Sequence, residues 1–115
     1  MKLPNAELAV MPERKLTDYL LNPAHPDNGG KADFFTKLGF RRSEWETLAA
    51  ALRMLAKTSP VSRQTESPHG CKYVIVGPIE TPDGRLATVQ TIWIVDSGLN
   101  VPRLVTAYPH QESAL

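Results

Sequence analysis

The run His25-Pro26-Asp27-Asn28-Gly29-Gly30-Lys31 joins an imidazole, a glycine pair and a lysine just before a predicted helix start. Backbone N–H groups at such a start, reinforced by the helix dipole, suit a phosphate oxygen. The glycines allow close approach and Lys31 adds a point charge. The string lacks the spacing of a P-loop, so nucleotide hydrolysis is disfavoured. Turn chemistry alone also accounts for Pro-Asp-Asn-Gly-Gly, with His25 then a surface side chain.

A second set lies near the C-terminus. In the predicted strand that begins at Arg103, alternation sets Arg103, Val105 and Ala107 against Leu104, Thr106 and Tyr108. Hydroxyls such as those of Thr106 and Tyr108 donate to phosphate oxygens, and arginine binds them bidentately. Threonine and tyrosine are also ordinary strand formers. Trp93, in the preceding strand, reads as a core anchor rather than a stacking platform.

The remaining candidates say less. His69 precedes Gly70 in a polar loop and His110 lies in the tail, without the carboxylate spacing that a metal site needs. Cys71 opens a strand, where a small buried residue fits better than a nucleophile. As the only cysteine, it excludes an internal disulfide and a zinc site built from several thiolates. Arg41-Arg42 extends a basic surface or is simply solvated. No cofactor and no metal site is expected.

These residues must be positioned by short elements. Ala6, Leu8 and Val10 alternate as in a brief strand or extended arm. Pro12-Glu13 opens a helix with Leu16, Tyr19 and Leu20 on its buried face, ended by Asn22-Pro23. A second helix runs from Gly30 or Lys31 to Leu38, with Phe34, Phe35 and Leu38 apolar and Gly39 at its stop. Ser43-Glu44-Trp45-Glu46 fits a capping box, followed by Trp45, Leu48, Leu52, Leu55 and Ala56 on one helical face.

Thr58 to Gly70 reads as a polar connection. Strands follow over Cys71 to Val76, with Ile79 a candidate continuation, then Leu86 to Val95 and Arg103 to Tyr108. They are separated by the turns Thr81-Pro82-Asp83-Gly84 and Asp96 to Asn100. The expected fold is α+β, with N-terminal helices packed on a C-terminal three- to four-stranded antiparallel β-meander. One domain spans 1–115, its helical part about 12–57 and its sheet part about 71–109.

The whole chain sets bounds on partners. Its 115 residues are 42% hydrophobic and 22% charged, enough for a core, and 10 prolines cut it into short elements. Thirteen basic against twelve acidic residues give a net charge of +1, without the field of a nonspecific nucleic-acid binder. Residues 1–57 carry nine basic and seven acidic side chains, so an anionic partner is expected to meet that half. With no bilayer-length apolar run and no signal-peptide core, a cytoplasmic protein with no membrane contact is expected.

Several motifs in order carry a resemblance. They are Leu3-Pro4-Asn5-Ala6-Glu7, the run from Lys15 to Pro26, Gly29-Gly30-Lys31-Ala32-Asp33-Phe34-Phe35, Lys72-Tyr73-Val74 and Gly77-Pro78. Pro82-Asp83-Gly84-Arg85, Thr91-Ile92-Trp93-Ile94 and the run from Pro102 to Pro109 complete the set. Together they resemble a family of short bacterial proteins of uncharacterised function, found alone or as C-terminal modules of polymorphic toxin and phage-related proteins. The layout is similar to the barnase, EndoU, colicin and RelE group of metal-independent ribonucleases.

That resemblance implies a toxin-like endoribonuclease that cleaves RNA by attack of a 2′-hydroxyl on the adjacent phosphate. Such a protein would be paired with a small antitoxin or immunity protein. The implied roles are acid or base for His25, phosphate charge stabilisation for Lys31 and Arg103, and positioning for Thr106 and Tyr108. The alternative is a noncatalytic protein–protein interaction module of the same small fold.

Overall fold

A computed structural model describes residues 1–25 and 30–110. The readings made above for Pro26, Asp27, Asn28, Gly29 and the tail beyond His110 lie outside the described residues.

The segment expected as a brief strand or extended arm begins with a 3-10 turn, Ala6–Leu8. Ala6 and Ala9 are buried there, while Leu8 and Val10 are exposed. Only Val10 makes a bridge, a parallel one to Arg103, with its N–H donating to the Pro102 carbonyl at 2.9 Å. Pro12 does open a helix, since the Lys15 N–H reaches its carbonyl at 2.9 Å. The following residues, Lys15–Leu20, wind as a π-helix, in which the Leu21 N–H bonds back to Leu16 at 2.8 Å. Such wide turns are rare and cluster at functional places.

Helix α1 spans Lys31–Lys37 and ends at Gly39, whose φ of 99° makes it the left-handed stop expected from the sequence. Helix α2 spans Trp45–Thr58 and buries Leu48, Ala49, Leu52, Leu55 and Ala56. The capping box does not form. Arg42–Glu44 is a separate 3-10 turn, and α2 begins at Trp45 without a side-chain cap.

Four strands follow, β1 (Val61–Ser67), β2 (Gly70–Glu80), β3 (Leu86–Asp96) and β4 (Arg103–Pro109), in one antiparallel sheet of order β1-β2-β3-β4. Thus the supposed polar connection holds an edge strand, with Val61 half-buried and the rest exposed. The fold is α+β, with N-terminal helices and a four-stranded meander.

Register fixes which side chains share a face. Tyr73, Trp93 and Leu104 align across β2, β3 and β4, as do Ile75, Thr91 and Ala107. These residues are all buried and belong to the core with Leu16, Leu20, Phe35, Leu48, Leu52 and Leu55. Trp93 is fully enclosed and donates its indole N–H to Thr91 at 2.8 Å, while Thr91 donates to the Ile75 carbonyl at 3.1 Å. Helix α2 lies tight on β2 at Gly77, where a Cβ would sit 2.5 Å from Ser59 Oγ and 2.7 Å from a Leu55 methyl.

A β-bulge corrects the expected alternation in β4. Leu104 pairs with Trp93 and Thr106 with Ile92, leaving Val105 as the extra residue. Leu104 and Ala107 therefore both face the core. Arg103, Thr106 and Tyr108 take the other face, opposite Ile94, Ile92 and Gln90.

Candidate functional site

The site forms where the π-helix, the loop after it and α1 meet the edge strand β4. Both the π-helix and α1 pack on β4. Leu16 and Leu20 anchor the π-helix in the core, which leaves Tyr19 half-buried at the rim.

Asn22 shapes the loop. Its amide donates to the Asp18 carbonyl at 3.1 Å, its side-chain oxygen accepts from the Ala24 N–H at 3.0 Å, and its carbonyl accepts from the His25 N–H at 3.2 Å. This Asx turn, with Pro23 next in the chain, brings the His25 ring back edge-on to Tyr19, with ring centroids 5.0 Å apart and planes at 90°.

Two ammonium groups address the same phenol. Lys15, four residues earlier on the π-helix, lies 5.3 Å from the Tyr19 ring centroid, and Lys31 at the start of α1 lies 5.4 Å from it. Lys31 is also 5.8 Å from the Tyr108 ring centroid. These distances fall within the range over which a ring quadrupole attracts a cation.

The phenol's acidity reflects this setting. Burial raises the Tyr19 pKa, but hydrogen bonding from Thr106 and Lys31 and the charges of Lys31 and Lys15 outweigh it. The net result is a value below the ordinary 10.0. The Thr106 hydroxyl is enclosed and meets no partner at full hydrogen-bonding geometry, yet it lies close enough to favour the ionised phenol.

On the strand side, the Gln90 amide donates to the Tyr108 hydroxyl, which fills an acceptor position and leaves the phenolic proton available for donation. Pro12, Arg14, Lys15, Asp18, Tyr19 and His25 line an open groove beside this cluster. Asp18 in that groove is paired with Arg42 at 3.2 Å.

The structure therefore gathers His25, Lys31 and Thr106 around Tyr19 and joins Tyr108 to them through Lys31. It does not bring Arg103 to them. Arg103 begins β4, about 15 Å along the strand from Tyr108, and forms a two-point ion pair with Asp96 at 2.8 and 3.1 Å. That pairing holds the Asp96 carboxyl below its ordinary range. Of the other candidates, Cys71 Sγ accepts from Gln64 at 3.1 Å, and no group of three metal-ligating side chains occurs among the described residues.

Three members of the cluster, Lys15, Tyr19 and Gln90, are not among the candidates that the sequence singles out. Tyr19 sits at helical spacing with Leu16 and Leu20 and was expected to be buried with them. Its hydroxyl was the available signal, because a tyrosine among core leucines needs a polar exit. Gln90 lies on the face away from the core, and only the register shows that it pairs with Tyr108.

The surroundings suit an anion. Two lysines, an imidazole and the hydroxyls of Tyr19 and Tyr108 provide positive charge, donors and groups able to move protons. No helix among the described residues is long and apolar enough to cross a membrane.

A search of the curated proteins found no match. Among solved structures, the chain is similar to one in a contact-dependent growth inhibition toxin–immunity protein complex from Klebsiella pneumoniae 342. The TM-score is 0.73 at 12% identity, over 93% of this chain and 97% of that one. At such low identity the likeness is one of fold. The family described as a domain of unknown function, DUF6883, matches residues 2–111, and the chain belongs to that family.

Proposed function

We propose that this protein is a toxin-like, metal-independent endoribonuclease, restrained by a small antitoxin or immunity protein. The observation that carries the reading is the convergence of His25, Lys31 and Thr106, drawn from distant parts of the chain, on one phenol, with Tyr108 joined to them through Lys31.

Cleavage by an internal 2′-hydroxyl needs a base for that hydroxyl, a proton for the departing 5′ oxygen, and positive charge for the phosphorane-like transition state. His25 serves as a proton-transfer group, imidazole being the side chain that most readily changes charge near neutral pH. Lys31 and Lys15 supply the charge, the Tyr108 hydroxyl orients the phosphate, and the enclosed Thr106 hydroxyl, proposed from the sequence for the same task, acts through Tyr19. Arg103, bound to Asp96, stands outside this arrangement and acts at most on more distant phosphates.

The similar fold found in a toxin–immunity complex supports the expectation of a protein partner. A small cluster of cations at one edge also reconciles the near-neutral chain with an anionic substrate, because local charge governs binding at a cleft.

The test is inducible expression of the wild type and of the His25→Ala/Lys31→Ala double variant. The wild type is expected to arrest growth with fragmented RNA, and the variant to do neither. Intact RNA with both proteins would favour a noncatalytic interaction module instead.

A further inference from the structure

We infer that Tyr19 is the general acid of the candidate site, giving its phenolic proton to the departing 5′ oxygen of RNA while His25 takes the proton of the attacking 2′-hydroxyl. The inference rests on the ribonuclease reading and assigns it a group that neither the sequence nor the comparisons single out.

The geometry is specific. Tyr19 is the common neighbour of Lys15, His25, Lys31 and Thr106. Lys15 addresses it from its own π-helix, His25 from the following loop, Lys31 from α1, and Thr106 from β4. Tyr108 lies beyond Lys31 on the same strand. The other charged groups of the groove are Arg14 and Asp18, the latter engaged by Arg42.

The edge-on contact holds the imidazole perpendicular to the phenol ring, with 5.0 Å between ring centres, so a base and an acid sit at one place on the rim of the groove. A general acid needs surroundings that tolerate its conjugate base. Two ammonium groups and a hydroxyl around one phenol meet that need, and the depressed Tyr19 pKa accords with it.

The step balances. The O2′–P bond forms as the P–O5′ bond breaks, with its electron pair leaving on O5′. The 2′-hydroxyl proton passes to the His25 imidazole and the phenolic proton caps O5′. The products are a 2′,3′-cyclic phosphate end and a 5′-hydroxyl end. Lys15 and Lys31 hold the transient phenolate until a proton returns from His25 through water.

The experiment uses the full chain and two RNA oligonucleotides of one sequence, one with the ordinary 5′ oxygen at the scissile position and one with sulfur there. A thiolate departs without being protonated, so the second substrate does not need an acid. Tyr19→Phe is expected to cut the ordinary substrate about 10²- to 10⁴-fold more slowly, to lose the alkaline limb of the pH–rate profile, and to cleave the sulfur substrate at close to the wild-type rate.

Equal rates for Tyr19→Phe and wild type on the ordinary substrate would overturn the assignment, as would equal slowing on both substrates. Should Tyr19→Phe fail to fold, 3-fluorotyrosine at position 19 decides the matter. Its more acidic phenol is expected to move the alkaline limb to lower pH, and an unmoved limb overturns the assignment. If the wild type cleaves neither RNA, the ribonuclease reading itself falls, and this assignment with it.

Discussion

The Lys31 ammonium lies 5.4 Å from the centre of the Tyr19 ring, so the first residue of α1 is joined electrostatically to a residue of the π-helix across an intervening loop. The same lysine reaches the Tyr108 ring at 5.8 Å and ties both to the last strand. Helix, loop and sheet edge thus share one charged group, and the chemistry attributed to the site depends on that junction.

The first prediction concerns this pair. Because the folded Tyr19 pKa lies below its ordinary value of 10.0, ionisation of Tyr19 adds stability as pH rises from the folded value towards 10. That contribution is fully present above pH 10 and absent below the folded value. Lys31→Ala should move the Tyr19 transition upward in an ultraviolet phenol titration and remove part of the gain. An unmoved transition would show that Lys31 does not govern the phenol.

Tyr73 should act in the opposite sense. Its hydroxyl interacts with Cys71 and is buried, and together with the nearby Cys71 and Glu66 charges this pushes its pKa up to about 12. The neutral phenol is the form the fold favours, so its contribution is complete below pH 10 and is lost as pH rises through about 12. Tyr73→Phe is expected to flatten the fall in stability measured by denaturant titration between those two values.

Trp93 is a pure test of the core. Trp93→Ala should cost about 3–5 kcal/mol, as expected for removing a fully buried large side chain. Trp93→Phe should cost less and unpair the Thr91 hydroxyl only on its acceptor side, because Thr91 still donates to Ile75. Urea unfolding followed by circular dichroism measures both.

Arg103 separates position in the strand from position in the site. Its pairing with Asp96 is largely exposed, so Arg103→Ala should change stability by no more than about 1 kcal/mol. RNA cleavage, measured on the same preparation, should fall by less than the loss caused by Lys31→Ala. A loss as large as that of Lys31→Ala would return Arg103 to the catalytic set.

Much of this molecule is legible in its sequence, and the exceptions have physical causes. The apolar spacing from Leu48 to Ala56 reads directly as a helix, and Trp93 as core, because burial imposes period and size. Strand β1 escapes, since Ser62 to Ser67 are exposed and carry no alternation. Ser43 has the composition of a cap, but the chain there takes a 3-10 turn.

The site was half legible. His25, Lys31, Thr106 and Tyr108 stand out by type and local context, whereas the centre on which they converge is set by tertiary packing. The bulge at Val105 decides which β4 residues share a face, and one extra residue in a ladder leaves no mark in composition. The i,i+4 spacing of Lys15 and Tyr19 is open to view in any helix, whereas the approach of Lys31 and Thr106 to the same phenol is not.

The central claim is that this cluster cleaves RNA through side-chain acid–base chemistry alone. Incubation of the purified chain with an end-labelled RNA in excess chelator tests it most directly. The account predicts fragments ending in 2′,3′-cyclic phosphate from the wild type and none from His25→Ala/Lys31→Ala. Intact RNA at stoichiometric wild-type protein, or equal cleavage by the double variant, would contradict it.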